Sequence, residues 1–462
     1  MPPARDEGPA TRGAAGSGRL PDPFEVEPLA APPDAEPRLP GSKSITNRAL
    51  VCAALAEGTS VLSGALVSDD TEAMSECLGQ LGVACRVGER DGSGTVQIVV
   101  EGTGGSLRSG GAVLDARLSG TTSRFIAPVA VLAGGTRVLD GAEPLRRRPM
   151  ADLLVALGEL GAEVVPLGDP GCLPVELHGG TTGVQGGEVS VRGDVSSQFL
   201  SGLLLAAPAM RDGLRVRVVS ELVSRPYVDM TVAVMRSFGA DVSLDAPAGG
   251  PLVIEVAPGG YRAREFAIEP DASAASYFFA LAAAGAGRAR VEGLGTSSLQ
   301  GDLAFVDVLA SMGASVERAT GHTEVRGTGQ LHGVEVDMVD ISDTAPTLGA
   351  IAPLATGPVT VRGIGFVRGK ETDRIASVVT ELERLGIDAS ESADGFTVRP
   401  GRPSPAVVST YHDHRMAMSF AVLGLLTGGV SIADPHCVDK TFPGFWDAIE
   451  SLRGEVSHDP AP

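Results

Sequence analysis

Residues 78–85 read LGQLGVAC, an amphipathic helical end closed by glycine and followed by a strand-like run, and the same device recurs five more times. The other copies are LGELGAEVV, MRSFGADVSL, LASMGASVE, LERLGIDAS and ESLRGEVS. Their closing glycines, Gly82, Gly161, Gly239, Gly313, Gly386 and Gly454, are separated by 79, 78, 74, 73 and 68 residues. Glycine adopts the left-handed conformation that ends a helix without a steric penalty, so this spacing marks a repeated structural unit.

Between these helices lies a second kind: NRALVCAALAEGTSVL, TSRFIAPVAVLAGGTRVL, SSQFLSGLLLAAPAMRDGLRVRV, ASAASYFFALAAAGAGRARV, TAPTLGAIAPLATGPVTV and HRMAMSFAVLGLLTGGVSI. These six are apolar nearly all round and should be buried, whereas the first kind keeps a wet face. Helices enclosed by sheets make an inside-out arrangement. The expected fold is therefore α/β: a two-domain inside-out α/β barrel built from six repeated αβ units, three per domain. A division near AIEPDAS (267–273) gives one domain over 42–269 and a second over 25–41 plus 270–455, with the active site in the interdomain cleft. Residues 1–24, rich in Pro, Gly and Ala, read as a disordered tail.

The chain has 462 residues, 43% hydrophobic, enough for two or three domains with real cores. Its net charge of -20 argues against a nucleic-acid surface, which needs clustered basic residues. No apolar run reaches the roughly 18 residues of a membrane helix. The five cysteines (Cys52, Cys77, Cys85, Cys172, Cys437) form no CxxC pair and follow no secretory signal, which points to a reducing cytoplasm. Cys52 and Cys77 sit in apolar helical patterns and read as core. His412, His414, His436 and Cys437 lack the spacing of a metal site, so no metal and no cofactor is expected. GSKS and GKET are not P-loops, because the GxxxxGK[ST] spacing is absent.

Only three of the 37 basic residues are lysines: Lys43, Lys370 and Lys440. Where arginine serves almost everywhere, a retained lysine suggests a place for a compact ammonium. The loops that open the helices carry Lys43, Ser44 and Arg48; Gly120, Thr121 and Arg124; Arg146, Arg147 and Arg148; Ser196, Ser197 and Gln198; Ser224 and Arg225; Asp343; Lys370, Glu371 and Arg374; His414 and Arg415; and Lys440. Helix N-termini present free N–H groups and a positive dipole end, so several facing one cleft would bind a polyanion. Ser42, Asp69 and Asp302 read more simply as caps. A cap needs no cation, and a cation at an N-terminus is unfavourable without an anion, so the basic residues carry the inference.

The segments LPGSKSITNRAL, SGTTSRF, RRRPM, VSSQFLSGLL, VSRPYVDMT, DASAASYF, QGD, SDTAPT, RGKETDR, YHDHRMAM and DKTFPGFW together, covering about 40–446, closely resemble the 5-enolpyruvylshikimate-3-phosphate synthase family. The resemblance implies the two-domain, six-unit fold and transfer of the enolpyruvyl group of phosphoenolpyruvate to the 5-hydroxyl of shikimate 3-phosphate, with release of phosphate and no metal. It implies a shikimate 3-phosphate site of Lys43, Ser44, Arg48, Ser196, Ser197, Gln198, Ser224, Asp343 and Lys370. The phosphoenolpyruvate site would be Lys43, Gly120, Arg124, Arg148, Gln198, Arg374, Arg415 and Lys440. Glu371 is the candidate proton shuttle, a carboxyl poised near neutral pH, with Asp343 as base toward the 5-hydroxyl and Lys43 and His414 as further catalytic candidates. The partners are these two small molecules, and a cytoplasmic monomer is expected. There are two departures: Arg117-Leu118 stands where many relatives carry Gly-Asn, and several relatives have an Asn near the position of Phe366. The alternative acceptor is UDP-N-acetylglucosamine, whose enolpyruvyl transferase uses a loop cysteine, where this chain has LRRRPM. A non-catalytic anion-binding relative, or a sugar-phosphate or nucleotide binder, would belong to another class.

Overall fold

The computed structural model describes residues 20–90, 94–246 and 250–453. Its helices are α1 (Lys43–Leu55), α2 (Asp69–Gln80), α3 (Gly120–Ala130), the single turn α4 (Glu143–Arg146), α5 (Ala151–Glu159), α6 (Ser197–Ala206), α7 (Arg225–Ser237), α8 (Ala272–Ala284), α9 (Phe305–Ser311), α10 (Ala345–Ile351), α11 (Arg374–Arg384), α12 (His414–Thr427) and α13 (Phe445–Glu450). The six uniformly apolar segments form α1, α3, α6, α8, α10 and α12, and burial follows composition. Every residue of α1 from Ile45 to Leu55 and of α12 from His414 to Leu425 is buried. Gly82, Gly161, Gly239, Gly313 and Gly386 all have φ between +79° and +106°, the left-handed conformation inferred from their spacing. Gly454 lies outside the described residues.

Six sheets of three to five strands surround these helices. In four of them the strand before a buried helix pairs in parallel with the strand after it, for example Ala112–Asp115 with Thr136–Asp140 around α3. The other two exchange that strand. The strand after α1, Ala56–Ala65, takes its parallel partners from Tyr261–Arg262 and Glu265–Ala267. The strand after α8, Arg288–Glu292, takes its partner from Asp34–Ala35. Two separate cores result. One is built from residues between Ile45 and Ile268, the other from Val26, Ala35 and Leu39 together with residues between Ala272 and Ile449.

The chain therefore passes between the cores twice, and the two passages run side by side. Ser42 N–H donates to the Glu269 carbonyl (2.8 Å), Asp271 N–H donates to the Pro40 carbonyl (2.9 Å), and Gly41 bridges Pro270 antiparallel. A Cβ at Gly41 would run into the Gly64 carbonyl oxygen, so only glycine lets the first passage lie this close to the end of the strand Ala56–Ala65.

The N-terminal stretch differs from the sequence reading. Residues 1–19 lie outside the described residues, but Leu20 packs on the second core and Phe24 opens the strand Phe24–Val26, paired antiparallel with Val430–Ile432. The Phe24 ring sits 4.6 Å from that of Trp446, and Asp22 accepts from the Asp434 N–H (3.0 Å). Partners so distant in sequence leave no trace in local composition. Phe24→Ala should cost about 1–2 kcal/mol, because the half-buried ring loses apolar burial. Denaturant unfolding measures this, and an unchanged midpoint would show that the ring contributes nothing.

Candidate active site

Serine and aspartate side chains at the N-cap positions bring the buried helices into the cleft between the cores. Ser42 caps α1, Ser119 caps α3, Ser196 caps α6 and Asp413 caps α12, each accepting a first-turn N–H. The residues just inside these caps face the cleft. Lys43, Ser44, Arg48, Gly120, Arg148, Ser197, Gln198, Ser224, Asp343, Lys370, Glu371, Arg374, His414 and Arg415 all line one pocket. Both sides approach closely across it: Ser224 N–H donates to the Val339 carbonyl (3.3 Å), Arg225 N–H donates to Asp340 (3.2 Å), and Arg148 lies 3.6 Å from Glu371.

The pocket's charges are interlocked. Arg374 holds three carboxylates at once: Nη1 donates to Asp343 Oδ1 (2.9 Å), Nη2 to Glu371 Oε2 (2.9 Å) and Nε to Asp413 Oδ2 (2.7 Å). Arg415 Nη2 donates to Asp343 Oδ2 at 2.6 Å, and Lys440 Nζ donates to Glu371 Oε1 at 3.0 Å. Lys43 Nζ sits 3.1 Å from Asp70 Oδ2. Burial opposes the charge on Asp343, but Arg415, Arg374 and Lys370 outweigh it and hold the carboxyl well below the usual range. Glu371 is likewise held low, by Lys440, Arg148 and Arg374 against burial. The expectation for Glu371 is a carboxyl poised near neutral pH; in this pocket its three cations favour the ionised form. Burial and the neighbouring cations Lys43, Arg415 and Lys440 depress His414 and favour its neutral imidazole, whose ring nitrogens make no hydrogen bond among the described residues, with Asp413 Oδ1 3.8 Å from Nδ1.

Three expected site residues stand back from this pocket. Arg124 is buried, donating from Nη1 to Gln198 Oε1 (3.0 Å) and the Gly120 carbonyl and from Nη2 to the Pro149 carbonyl (3.1 Å). Burial and Arg148 push it down to about 9, and its geometry is that of a brace for Gln198. Ser196 caps α6 and lines an adjoining hollow with Arg124, Phe366 and Lys370. Lys440 lies behind Glu371, reaching the pocket through that carboxylate. The cap reading holds for Ser42 but not for Asp69 or Asp302. Ser68 occupies the cap of α2 and Asp69 pairs with Arg117; Asp302 faces Tyr227 and Ser273 instead of a helix end.

Asp70, Thr121, Tyr227, Ser342 and Asp413 also shape the site, as pocket lining or, for Asp413, through Arg374. Tyr227 lies one turn after Ser224 on α7, a spacing that would have pointed it to the same face. The two departures also find their reasons. Arg117 is left-handed at φ 51°, where glycine fits most easily, and its guanidinium binds Asp69 (3.0 Å), Glu72 (3.2 Å) and Glu76 (2.6 Å) along α2. Phe366 places its ring 6.0 Å from Lys370 Nζ, a cation–π contact in place of an amide. Cys52, Cys77 and Cys437 are each pushed up to about 12, chiefly by burial, and none lines the pocket. Among the described residues there is no cluster of metal-binding side chains and no helix long and apolar enough to cross a membrane.

Residues 31–449 match the family model of EPSP synthase (3-phosphoshikimate 1-carboxyvinyltransferase). The 3-phosphoshikimate 1-carboxyvinyltransferase of Trichormus variabilis is 44% identical over 435 residues, covering 94% of this chain and 100% of that protein. The enzyme of the same name from Ralstonia pickettii is 41% identical over 430 residues, covering 90% and 96%. Among solved structures, EPSP synthase from Acinetobacter baumannii superposes with a TM-score of 0.77 at 25% identity, covering 94% of this chain and 98% of that one.

Proposed function

From the premise that the chain belongs to the EPSP synthase (3-phosphoshikimate 1-carboxyvinyltransferase) family, we propose that its cleft transfers the enolpyruvyl group of phosphoenolpyruvate to the 5-hydroxyl of shikimate 3-phosphate and releases phosphate. The observation that carries the reading is Arg374, which joins two ionised carboxylates, Asp343 and Glu371, at one pocket crowded with cations. Two phosphates and two carboxylates on the substrates need such a cation supply. The phosphoenolpyruvate anions engage Lys43, Arg148, Arg374, Arg415 and Lys440, with the Gly120 backbone and Gln198 alongside. The shikimate 3-phosphate groups engage Ser44, Arg48, Ser196, Ser197, Gln198, Ser224 and Lys370.

Replacing a phosphate on a vinyl carbon calls for addition and then elimination. A proton goes to C3 of phosphoenolpyruvate, C2 becomes electrophilic, and the 5-hydroxyl adds to C2 while Asp343 takes its proton. Loss of a C3 proton together with the phosphate then restores the double bond. Glu371 serves C3. Bound substrate anions draw on Lys440, Arg148 and Arg374 and add negative charge, so the proton affinity of Glu371 rises when both substrates are present. His414, whose ring nitrogens make no hydrogen bond among the described residues, offers one of them to the bound anions.

The working unit is a monomer in the cytoplasm, since one chain supplies both sides of the cleft and the cysteines are free. It is made of two domains, 42–269 and 25–41 with 270–455, a division that the two separate cores support. The test is phosphate release from phosphoenolpyruvate with shikimate 3-phosphate, with UDP-N-acetylglucosamine, or with no acceptor. Release should require shikimate 3-phosphate. Release with the nucleotide sugar alone, or none at all despite tight binding, would overturn the assignment.

A further inference from the structure

Tyr227 places one phenolic oxygen between two carboxylates, 3.1 Å from Asp343 Oδ2 and 3.2 Å from Asp302 Oδ2. A phenol has a single hydrogen to donate, so both contacts are hydrogen bonds only if one carboxylate carries a proton. Asp343 is bound by two guanidiniums, from Arg374 and Arg415, and is the ionised one. Among the described residues Asp302 forms no salt bridge, and the nearby Arg415 guanidinium reaches Ser273 and Asp343 instead. Its Oδ2 meets the hydroxyl of Ser273, its Oδ1 is buried without a partner, and it is 4% exposed. The groups that face it are Ser273 and Asp271 from α8, Tyr227 from α7, Asp343 from the turn before α10, and Arg415 from α12.

We propose that Asp302 is a positioning residue that works in its protonated form: its O–H donates to Tyr227, and the Tyr227 O–H then donates to Asp343 Oδ2. Burial and the charges of Asp343 and Asp271 agree with this, pushing the Asp302 carboxyl up to about 6 against Arg415. The chain gives Asp343 a third donor and fixes its carboxylate for the acceptor hydroxyl. Losing the Asp302 proton leaves two anions contending for one hydrogen, and Asp343 can be left with only its two guanidinium donors. Shikimate 3-phosphate adds negative charge to the cleft, so its binding draws a proton onto Asp302 when the pH is above 6.

The inference rests on reading Asp343 as the base, and the readouts separate the two. Asp302→Asn, with its amide nitrogen in the place of Oδ2, keeps a donor toward Tyr227 at every pH and turns the Ser273 hydroxyl into an acceptor, whereas Asp302→Ala removes both contacts. Wild type should lose activity toward alkaline pH; Asp302→Asn should keep kcat within about threefold of the wild-type maximum and lack that decline, and Asp302→Ala should lose at least tenfold. Titration calorimetry of shikimate 3-phosphate at pH 7.5, in two buffers of different ionisation heat, should show wild type taking up more protons than Asp302→Asn. Equal proton counts, or an Asp302→Asn variant as impaired as Asp302→Ala at all pH values, would overturn the proposal. If the asparagine variant does not fold, Tyr227→Phe carries the test, since near-normal kcat without the bridging hydroxyl overturns it equally. If Asp343→Asn keeps full activity while the proton counts differ, the base assignment fails and the Asp302 proton stands.

Discussion

Glu371→Gln is expected to lower kcat by on the order of a thousandfold, within the range removed with a general acid or base. The substitution keeps the side chain's shape, though its one amide oxygen can accept from only one of Arg374 and Lys440, which lie 2.9 and 3.0 Å from separate carboxylate oxygens. What disappears is the ability to gain and lose a proton. It also removes a negative charge from among Lys440, Arg148 and Arg374, so these cations are freer to bind anions. Phosphoenolpyruvate should therefore bind the variant in its shikimate 3-phosphate complex as tightly as wild type or more so. Rapid-quench turnover together with equilibrium binding measures both effects. A variant that turns over within tenfold of wild type would remove Glu371 from the proton-transfer steps and leave it as a spacer among cations.

The repeat was legible because each unit carries two local signals, a helix apolar on all sides and a glycine at φ near +90°, and both depend only on neighbouring residues. The exchanged strands Asp34–Ala35, Tyr261–Arg262 and Glu265–Ala267 were not, because two- and three-residue strands gain their identity from partners far away in sequence. The cleft residues were legible as a set, since cations at helix N-termini conflict with the dipole unless an anion is bound. Their individual states were not. Glu371 is set by Lys440 and Arg148, which approach from separate loops, and Arg124 turns away toward Gln198 on a different helix. Asp302 was misread for the same reason: in QGDLA it looks like a cap, and only the fold brings Tyr227 and Ser273 to it.

Lys43→Arg should lower kcat about a hundredfold even though the charge is retained. All three lysines stand at the cleft: Lys43 and Lys370 line the pocket, and Lys440 rests on Glu371. Lys43 is the first residue of α1, 14% exposed, with its ammonium 3.1 Å from Asp70, and it shares the pocket with Gly120 and Arg148. Space at Gly120 is already taken, for a Cβ there would run into Arg124 Nη1 and stand 2.8 Å from Arg148 Nη1. A planar guanidinium on a longer reach cannot keep the Asp70 contact and also present one donor to each of two anions; it must displace one of them. A shift of about 1 Å from the line of attack is enough for a loss of about a hundredfold. Binding of shikimate 3-phosphate, held by many other groups, should weaken less than tenfold. Steady-state kinetics alongside a binding titration separates these effects. Near-normal turnover would mean that positive charge alone suffices at the start of α1 and that the scarcity of lysine elsewhere in the chain has no bearing on the chemistry.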